Sequence, residues 1–227
     1  MAVMVGIVLL TVATILILAG LAHRVLDRMH LSDRAALVFV LGMIAGSFVE
    51  IPLVGGLSPI TVNLGGAVLP TALAVYVLAR AGTSWERWRA VIAVVVATAV
   101  IYGLSKYVNF GEKAMPIEPI YLWAVIAAIV SYLVGRSRRT AFVSATLSMV
   151  LLDVVHVVET GILGLRAATR IGGAGAFDAI VLAGILAVIL AEVFGEARER
   201  LAGGPHGGPD RPPGLGREFG DRPGGGE

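Results

Sequence analysis

The chain has 227 residues, of which 57% are hydrophobic and 15% are charged, and its formal net charge at pH 7 is +2. Soluble domains contain about 25% charged residues, so this composition excludes an ordinary soluble protein and indicates a membrane protein. The small charge, spread over single arginines between apolar runs, argues against a nucleic-acid partner. The chain contains no cysteine, which excludes disulfides, thiolate nucleophiles and cysteine metal sites.

Seven apolar segments are long enough to cross a bilayer. They cover residues 2–22, 35–54, 60–79, 90–108, 118–135, 140–160 and 176–195. The first has no Lys or Arg ahead of it and is longer than the apolar region of a typical signal peptide, so we expect a retained helix. The sequence therefore predicts an all-α, polytopic domain over residues 1–195 with seven transmembrane helices, multi-pass in the plasma membrane, with the lipid bilayer as its partner.

Residues 196–227 form a separate C-terminal part in this prediction. The run GEARERL after Gly195 continues the last helix into water, and the tail that follows is rich in Gly and Pro. In residues 203–227, 15 of 25 positions are Gly or Pro, a composition that cannot bury a core. We expect a short helical extension and a disordered cytoplasmic tail.

Basic residues divide unequally between the two sides of the predicted helices. One side holds 14 of the 18 Lys and Arg residues, including all those in the tail, and the other holds Lys106, Lys113, Arg166 and Arg170. The positive-inside rule then places the N-terminus outside and the C-terminus in the cytoplasm.

Five polar side chains interrupt the apolar segments at a common depth in the outer half of the bilayer. They are Glu50, Asn63, Asp153, His156 and Asp178. Ionisable side chains at the bilayer centre cost about 2.5–3.5 kcal/mol each on insertion scales and usually mark functional positions. The sequence therefore predicts one acidic site that opens to the outer face.

Asp153 and His156 are three residues apart and share one face of a predicted helix. They either act together in a cavity or on a metal ion, or the aspartate fixes the histidine tautomer and both fill a gap between helices. Glu159, nearer the interface, is either a site residue or simply solvated. We predict Asp153, His156 and Asp178 as the catalytic group and assign no metal ligand and no cofactor, since the chain contains no HExxH motif and no P-loop.

Asp178 follows Gly172-Gly173-Ala174-Gly175 at the start of the last apolar segment. In one interpretation it is a helix-start acid that interacts with the helix dipole, while the glycines permit a turn. In the other, it faces Asp153 and the two carboxylates share a proton, as general acid–base hydrolysis requires.

Four further positions are predicted to bind substrate at the rim of this site: Glu50, Asn63, Gly173 and Gly175. For Glu50 and Asn63, packing is the alternative role, and Arg166 or Arg170 is the expected partner of Glu50. The Gly42/Gly46 pair and Gly65-Gly66 favour close approach of neighbouring backbones. Pro70 is expected to bend its helix.

The run LLDVVHV followed by IGGAGAFDAIVLAGILAVILAE resembles the prokaryotic membrane-protein family called domain of unknown function 1614. The resemblance extends upstream through LDRMHLSDRAALVFVLGMIAGSFVEIPL and VNLGGAVLPTALAVYVL. It covers about residues 1–195 and implies a membrane architecture without an established activity.

The chain also resembles, more weakly, the GxGD aspartyl intramembrane proteases. In that group one catalytic aspartate lies in a helix and a second follows a glycine motif that opens the next helix. Asp153 and Asp178 stand in the same relation. The resemblance implies hydrolysis of a membrane peptide by these two acids.

Three functions follow from these observations. The first is intramembrane hydrolysis by Asp153 and Asp178, and the second is proton- or cation-coupled transport of a small solute by the same acids. The third is a scaffold in which the polar cluster only locks the helices together.

The orientation is testable with reporter fusions. A reporter fused after Glu227 should behave as cytoplasmic, and one inserted between Pro52 and Ile60 should behave as external, because basic residues concentrate on the inner side. Alkaline phosphatase and fluorescent-protein activities of the fusions measure this, and the reverse pattern would contradict the orientation.

Overall fold

The structure, a computed structural model, describes residues 33–56, 58–107, 119–165, 167–175 and 178–201. The predicted first span, Arg166 and the tail beyond residue 201 lie outside the described residues. The chain divides into two compact units, Met1–Val193 and Phe194–Glu227. The site lies within the first unit.

Six α-helices and three short strands make up the described part of the chain. In chain order the elements are α1 (Asp33–Gly46), β1 (Glu50–Val54), β2 (Ile60–Asn63), a π-helical turn (Leu64–Val68), α2 (Leu69–Ala79), α3 (Ser84–Tyr107), α4 (Pro119–Gly135), α5 (Arg138–Ile162), β3 (Thr169–Ile171) and α6 (Ala179–Leu201). The four helices predicted from residue 90 onward are confirmed as helices, with shifted ends.

The predicted spans 35–54 and 60–79 are wrong as continuous helices. The first helix ends at Gly46 and the chain continues as strand β1, while residues 60–63 form β2 before the helix begins. Proline at position 52 and β-branched residues at 51, 54 and 60–62 favour extended backbone over helix in these runs. Glu50 therefore lies on an exposed strand and not inside a helix.

The three strands form one small sheet in the order β1-β2-β3. β1 pairs with β2 antiparallel, with Glu50 opposite Asn63, and β2 pairs with β3 in parallel, with Ile60 opposite Thr169. The strands thus satisfy one another's backbone groups where the chain leaves the helices. The fold is mostly helical with this added sheet, which corrects the all-α prediction.

Hydrogen bonds and ion pairs between the long helices show in which direction each helix runs. Along α3 and α5, Thr98 donates to the carbonyl of Ser148 at 3.2 Å, and Lys106 pairs with Glu159 near both C-terminal ends. These two helices therefore run in the same direction.

α4 and α6 run opposite to α3 and α5. The Arg89 Nε, near the start of α3, donates to the Val134 carbonyl near the end of α4 at 3.3 Å. Arg138 at the start of α5 forms a 2.5 Å ion pair with Glu192, late in α6. Helix ends rich in arginine meet at one end of the bundle, and the sheet lies at the other.

The interior of the bundle is rich in small residues, and its outer faces carry large apolar residues. Its interior holds Ala93, Ala97, Ala127, Ala145, Ala183 and Ala187, with the hydroxyl residues Ser131, Ser144, Thr146 and Ser148. Its outer faces carry Ile92, Val95, Ile129, Leu133, Val158 and Ile162, which are 43% to 80% exposed. Soluble proteins rarely expose such apolar faces, whereas helices in lipid pack through small residues.

Two described helices, Ser84–Tyr107 and Arg138–Ile162, are long and apolar enough to cross a membrane. At 1.5 Å per residue each spans about 36 Å, against about 30 Å of bilayer hydrocarbon. Four apolar helices are shorter: Leu37–Gly46, Leu64–Ala79, Tyr121–Gly135 and Ala179–Gly195. These features fit an integral membrane protein; seven spans and the predicted orientation stay predictions.

We predict that Gly66→Ala lowers the free energy of unfolding by about 1–3 kcal/mol or more, because overpacked backbone cannot relax. A Cβ at Gly66 would lie 2.2 Å from the Gly172 carbonyl oxygen and 2.6 Å from that of Gly175. Thermal unfolding in detergent, followed by tryptophan fluorescence, measures the change.

Gly103→Ala is the matched control. No atom lies within 4 Å of a Cβ at this position in α3, so alanine should be neutral or stabilise the helix by up to about 1 kcal/mol. Equal unfolding temperatures for the two variants would contradict the close backbone approach at Gly66.

Candidate functional site

The site is organised around a tight glycine turn, Gly172–Gly175, which follows β3 and precedes α6. Gly172 and Gly175 have φ values of 68° and 65°, in the left-handed region that favours glycine. The Gly175 N–H donates to the Gly172 carbonyl at 2.9 Å and closes the turn. The chain therefore reverses within four residues and presents its remaining backbone N–H groups to the surroundings.

Two neighbouring segments pack directly on the backbone of this turn. An added Cβ at Gly172 would lie 2.6 Å from the Ala67 nitrogen, and one at Gly175 would lie 2.5 Å from the Ser47 Cβ. Gly173 instead lies against the Arg170 side chain, 2.7 Å from its Cβ. The glycine turn is thus wedged between the end of α1 and the π-helical turn, which accounts for Gly172 and Gly175 by packing alone.

Asp178 caps α6 and holds the glycine turn with the same carboxylate. Its Oδ1 accepts from the Ile180 N–H at 3.0 Å, and its Oδ2 accepts from the Ala174 N–H at 3.2 Å. The residue is only 8% exposed. These contacts agree with the interpretation of Asp178 as a helix-start acid, because a capping aspartate accepts from N–H groups that a helix leaves free.

Asp153 reaches the other end of the same turn from α5. Its partly buried carboxylate interacts electrostatically with the Gly172 N–H and with Asp178. Backbone nitrogens two residues apart are at most about 7 Å from one another. The two carboxylates therefore approach the same short turn, and we call Asp153, Asp178 and the glycine turn the acidic junction.

Among the described residues, no Lys or Arg forms an ion pair with either carboxylate of the acidic junction. Nor does the described part of the chain contain a group of three or more His, Cys, Asp and Glu residues placed to hold a metal ion. Close carboxylates without a fixed cation cannot both carry full charge in a low-dielectric site unless a proton or mobile cation joins them.

Asn63 ties the π-helical turn to the end of α1. Its side-chain nitrogen donates to the Ser47 carbonyl at 2.8 Å, and its oxygen accepts from the Gly66 N–H at 2.8 Å. The residue is 2% exposed. Both neighbours, Ser47 and Gly66, contact the glycine turn, so Asn63 fixes one wall of the acidic junction without touching either acid.

Glu50 lies on the outer strand of the sheet and pairs with Arg170 across it. The closest oxygen and nitrogen of the pair are 2.9 Å apart, and the side chains are 33% and 63% exposed, respectively. The predicted pairing with Arg170 is thereby confirmed. Such exposed pairs contribute at most about 1 kcal/mol, so this one orients the sheet more than it stabilises it.

His156 belongs to a separate cluster between α3 and α5. Its ring lies 6.3 Å from that of Tyr102, and the Lys106 ammonium lies 5.1 Å from the same tyrosine ring. Lys106 also pairs with Glu159. The contacts therefore link His156 to Tyr102, whereas the neighbouring Asp153 faces the glycine turn. A catalytic role for Asp153, His156 and Asp178 stays a prediction.

Two contributors to this site were not predicted from the sequence: Ser47 and the backbone of Ala174. A serine after a helix end and an alanine in a turn carry no local signal of function. Both act through backbone groups or close approach, which only the packed fold reveals.

The family described as protein of unknown function (DUF1614) matches residues 30–190. The chain belongs to this family. The first resemblance in the sequence is therefore confirmed, and no finding supports the weaker one to aspartyl intramembrane proteases. None of the curated proteins and none of the solved structures matches the chain.

We expect Asn63→Ala to destabilise the protein by roughly 2–4 kcal/mol, because it removes the hydrogen bond to the partly buried Ser47 carbonyl, worth about 0.5–1.5 kcal/mol, and the acceptor of the buried Gly66 N–H, worth about 1–3 kcal/mol. Asn63→Ser should cost about half as much, since serine still accepts from an N–H at a helix start. Denaturant unfolding by circular dichroism measures both.

Ser105→Ala is the control for loss of a polar side chain, because the Ser105 hydroxyl donates to the Tyr102 carbonyl within the same helix, α3. Its effect should be within about 0.5 kcal/mol. If Asn63→Ala were as stable as Ser105→Ala, Asn63 would not hold the π-helical turn to the end of α1.

Proposed function

We propose that this protein is a multi-pass protein of the plasma membrane that binds a proton or small monovalent cation at the acidic junction. Binding is coupled to the passage of a small solute. The supporting observation is that Asp178 holds the glycine turn by a hydrogen bond and Asp153 interacts electrostatically with the same turn and with Asp178, with no ion pair to a described Lys or Arg.

The chemistry of the pair favours reversible cation binding. Backbone N–H groups orient the carboxylate oxygens without cancelling their charge, so the pair keeps its affinity for a mobile positive ion. Ionisable groups buried in membrane helix bundles commonly serve ion and proton pathways. A cation held by α5 and α6 together would also change how firmly these helices are joined through the glycine turn.

Intramembrane hydrolysis is the second candidate, favoured by the order of the two acids, one in a helix and one after a glycine motif. It requires one acid to protonate a leaving group and the other to activate water. It also requires a peptide and a water molecule to reach both acids, whereas cation binding requires only the two carboxylates, so we place hydrolysis second.

Cation binding predicts stabilisation of the purified protein. Replacing choline chloride by NaCl at constant ionic strength should raise the Tm by roughly 5–10 °C once Na⁺ exceeds its Kd about 100-fold. Asp153→Asn and Asp178→Asn should each abolish the increase, because each removes one carboxylate of the pair. Differential scanning fluorimetry in detergent gives the Tm, and a pH indicator in weak buffer detects the proton that Na⁺ displaces.

Glu159→Gln is the matched acid-to-amide control on α5, since Glu159 pairs with Lys106 away from the glycine turn. It should keep the Na⁺ response. If neither Na⁺ nor pH changes the wild-type Tm, and the Asn variants only lower it, the acids are structural and the coupling proposal fails. Cleavage of a transmembrane reporter peptide that both Asn variants abolish would establish hydrolysis instead.

A further inference from the structure

A cavity of about 220 Å³ lies beside the sheet at the end of the bundle opposite the arginines. The C-terminal turns of α5 form one side of it, through Val157, Thr160 and Gly161, and the paired strand ends at Ile60 and Thr169 form the other. At about 30 Å³ per water molecule, it has room for a hydrated small ion.

Both walls of this cavity lead to Asp153. On α5, Asp153 is four residues before Val157 and seven before Thr160, so all three lie on one helical face. On the sheet side, β3 runs from Thr169 to Ile171, and the next residue, Gly172, interacts electrostatically with Asp153. The acidic junction therefore lies about 6 Å below the cavity along the helix, with Val157 between them.

The polar groups around the cavity suit a cation. The Thr160 hydroxyl donates its proton to the His156 carbonyl at 2.8 Å, which leaves oxygen lone pairs for a ligand. The cavity also adjoins the C-terminus of the 25-residue helix α5, where the helix dipole is negative and attracts cations. None of the described residues that line it has an ionisable side chain.

We propose that this cavity is the outer vestibule of the acidic junction, a site that takes a small hydrated monovalent cation and delivers it past Val157 to Asp153 and Asp178. The inference rests on the proposed function and adds the route by which the ion arrives. Oxygen atoms of hydroxyl and carbonyl groups replace part of the ion's hydration shell there, as they do in other membrane ion paths.

The absence of cysteine makes the vestibule directly testable by thiol labelling. The two reagents are the cationic trimethylammonium-ethyl methanethiosulfonate and its anionic sulfonatoethyl counterpart, and each rate is divided by the rate with a free thiol. In a Thr160→Cys variant, the cationic reagent should react about three- to tenfold faster than the anionic one, because the nearby acids attract positive charge. Replacing Asp153 and Asp178 by Asn together should bring the normalised ratio close to one.

Leu163→Cys is the matched control, since Leu163 is 61% exposed at the same end of α5 and does not line the cavity. It should react with both reagents without charge preference. Labelling of Thr160→Cys should abolish the Na⁺-dependent rise in Tm, and labelling of Leu163→Cys should leave it intact. Ser58→Cys and Thr169→Cys provide second positions in the cavity if Thr160→Cys does not fold.

The vestibule is overturned if the cavity cysteines do not react, or if they react without charge preference and labelling leaves the Na⁺ response unchanged. Should Asp153→Asn abolish the Na⁺ response while cavity labelling does not, only the route is wrong. Absence of any Na⁺ or pH response in the wild type would overturn the proposed function and the vestibule together.

Discussion

The constraint on which this structure depends is that backbone and acidic groups must find partners where water is scarce. Unpaired N–H and C=O groups cost several kcal/mol each in hydrocarbon. The chain meets this requirement twice at one end of the bundle. The three strands pair with one another, and the glycine turn donates the Ala174 N–H to Asp178 and lies beside Asp153. Irregular backbone is tolerated there because protein surrounds it.

Close approach of backbones is the physical means by which these partners meet. Gly46 and Gly65 bring α1 against the π-helical turn, where an added Cβ at Gly65 would lie 2.0 Å from the Met43 carbonyl oxygen. Gly66 and Gly172 do the same between that turn and the loop after β3. Small side chains in the bundle interior extend this packing, since helices in lipid gain most from van der Waals contact. The glycines thus help to position the acidic junction, because they allow the surrounding backbones to approach closely.

Much of the helical fold could be predicted from the sequence, and the sheet could not. A continuous apolar run such as residues 51–54 has no periodicity that distinguishes a buried helix from a strand. Close approach at Gly46 and Gly65 and the pairing of Glu50 with Arg170 were predicted, because small residues and opposite charges are visible in the sequence. The bond of Asn63 to Ser47 and the approach of Asp153 to Gly172 were not, since they involve backbone groups distant along the chain.

Five acids of the described residues are held in two different ways. Glu50, Glu159 and Glu192 each pair with a fixed cation, namely Arg170, Lys106 and Arg138, and these pairs join neighbouring elements while cancelling charge. Asp178 accepts backbone N–H groups and Asp153 lies beside the same turn, and neither pairs with a described Lys or Arg. N–H dipoles orient a carboxylate but leave its net charge in place, and a buried negative charge without a fixed counter-ion draws a proton or an ion from outside. That difference is why the acidic junction, more than the other acids, is suited to bind and release a mobile cation.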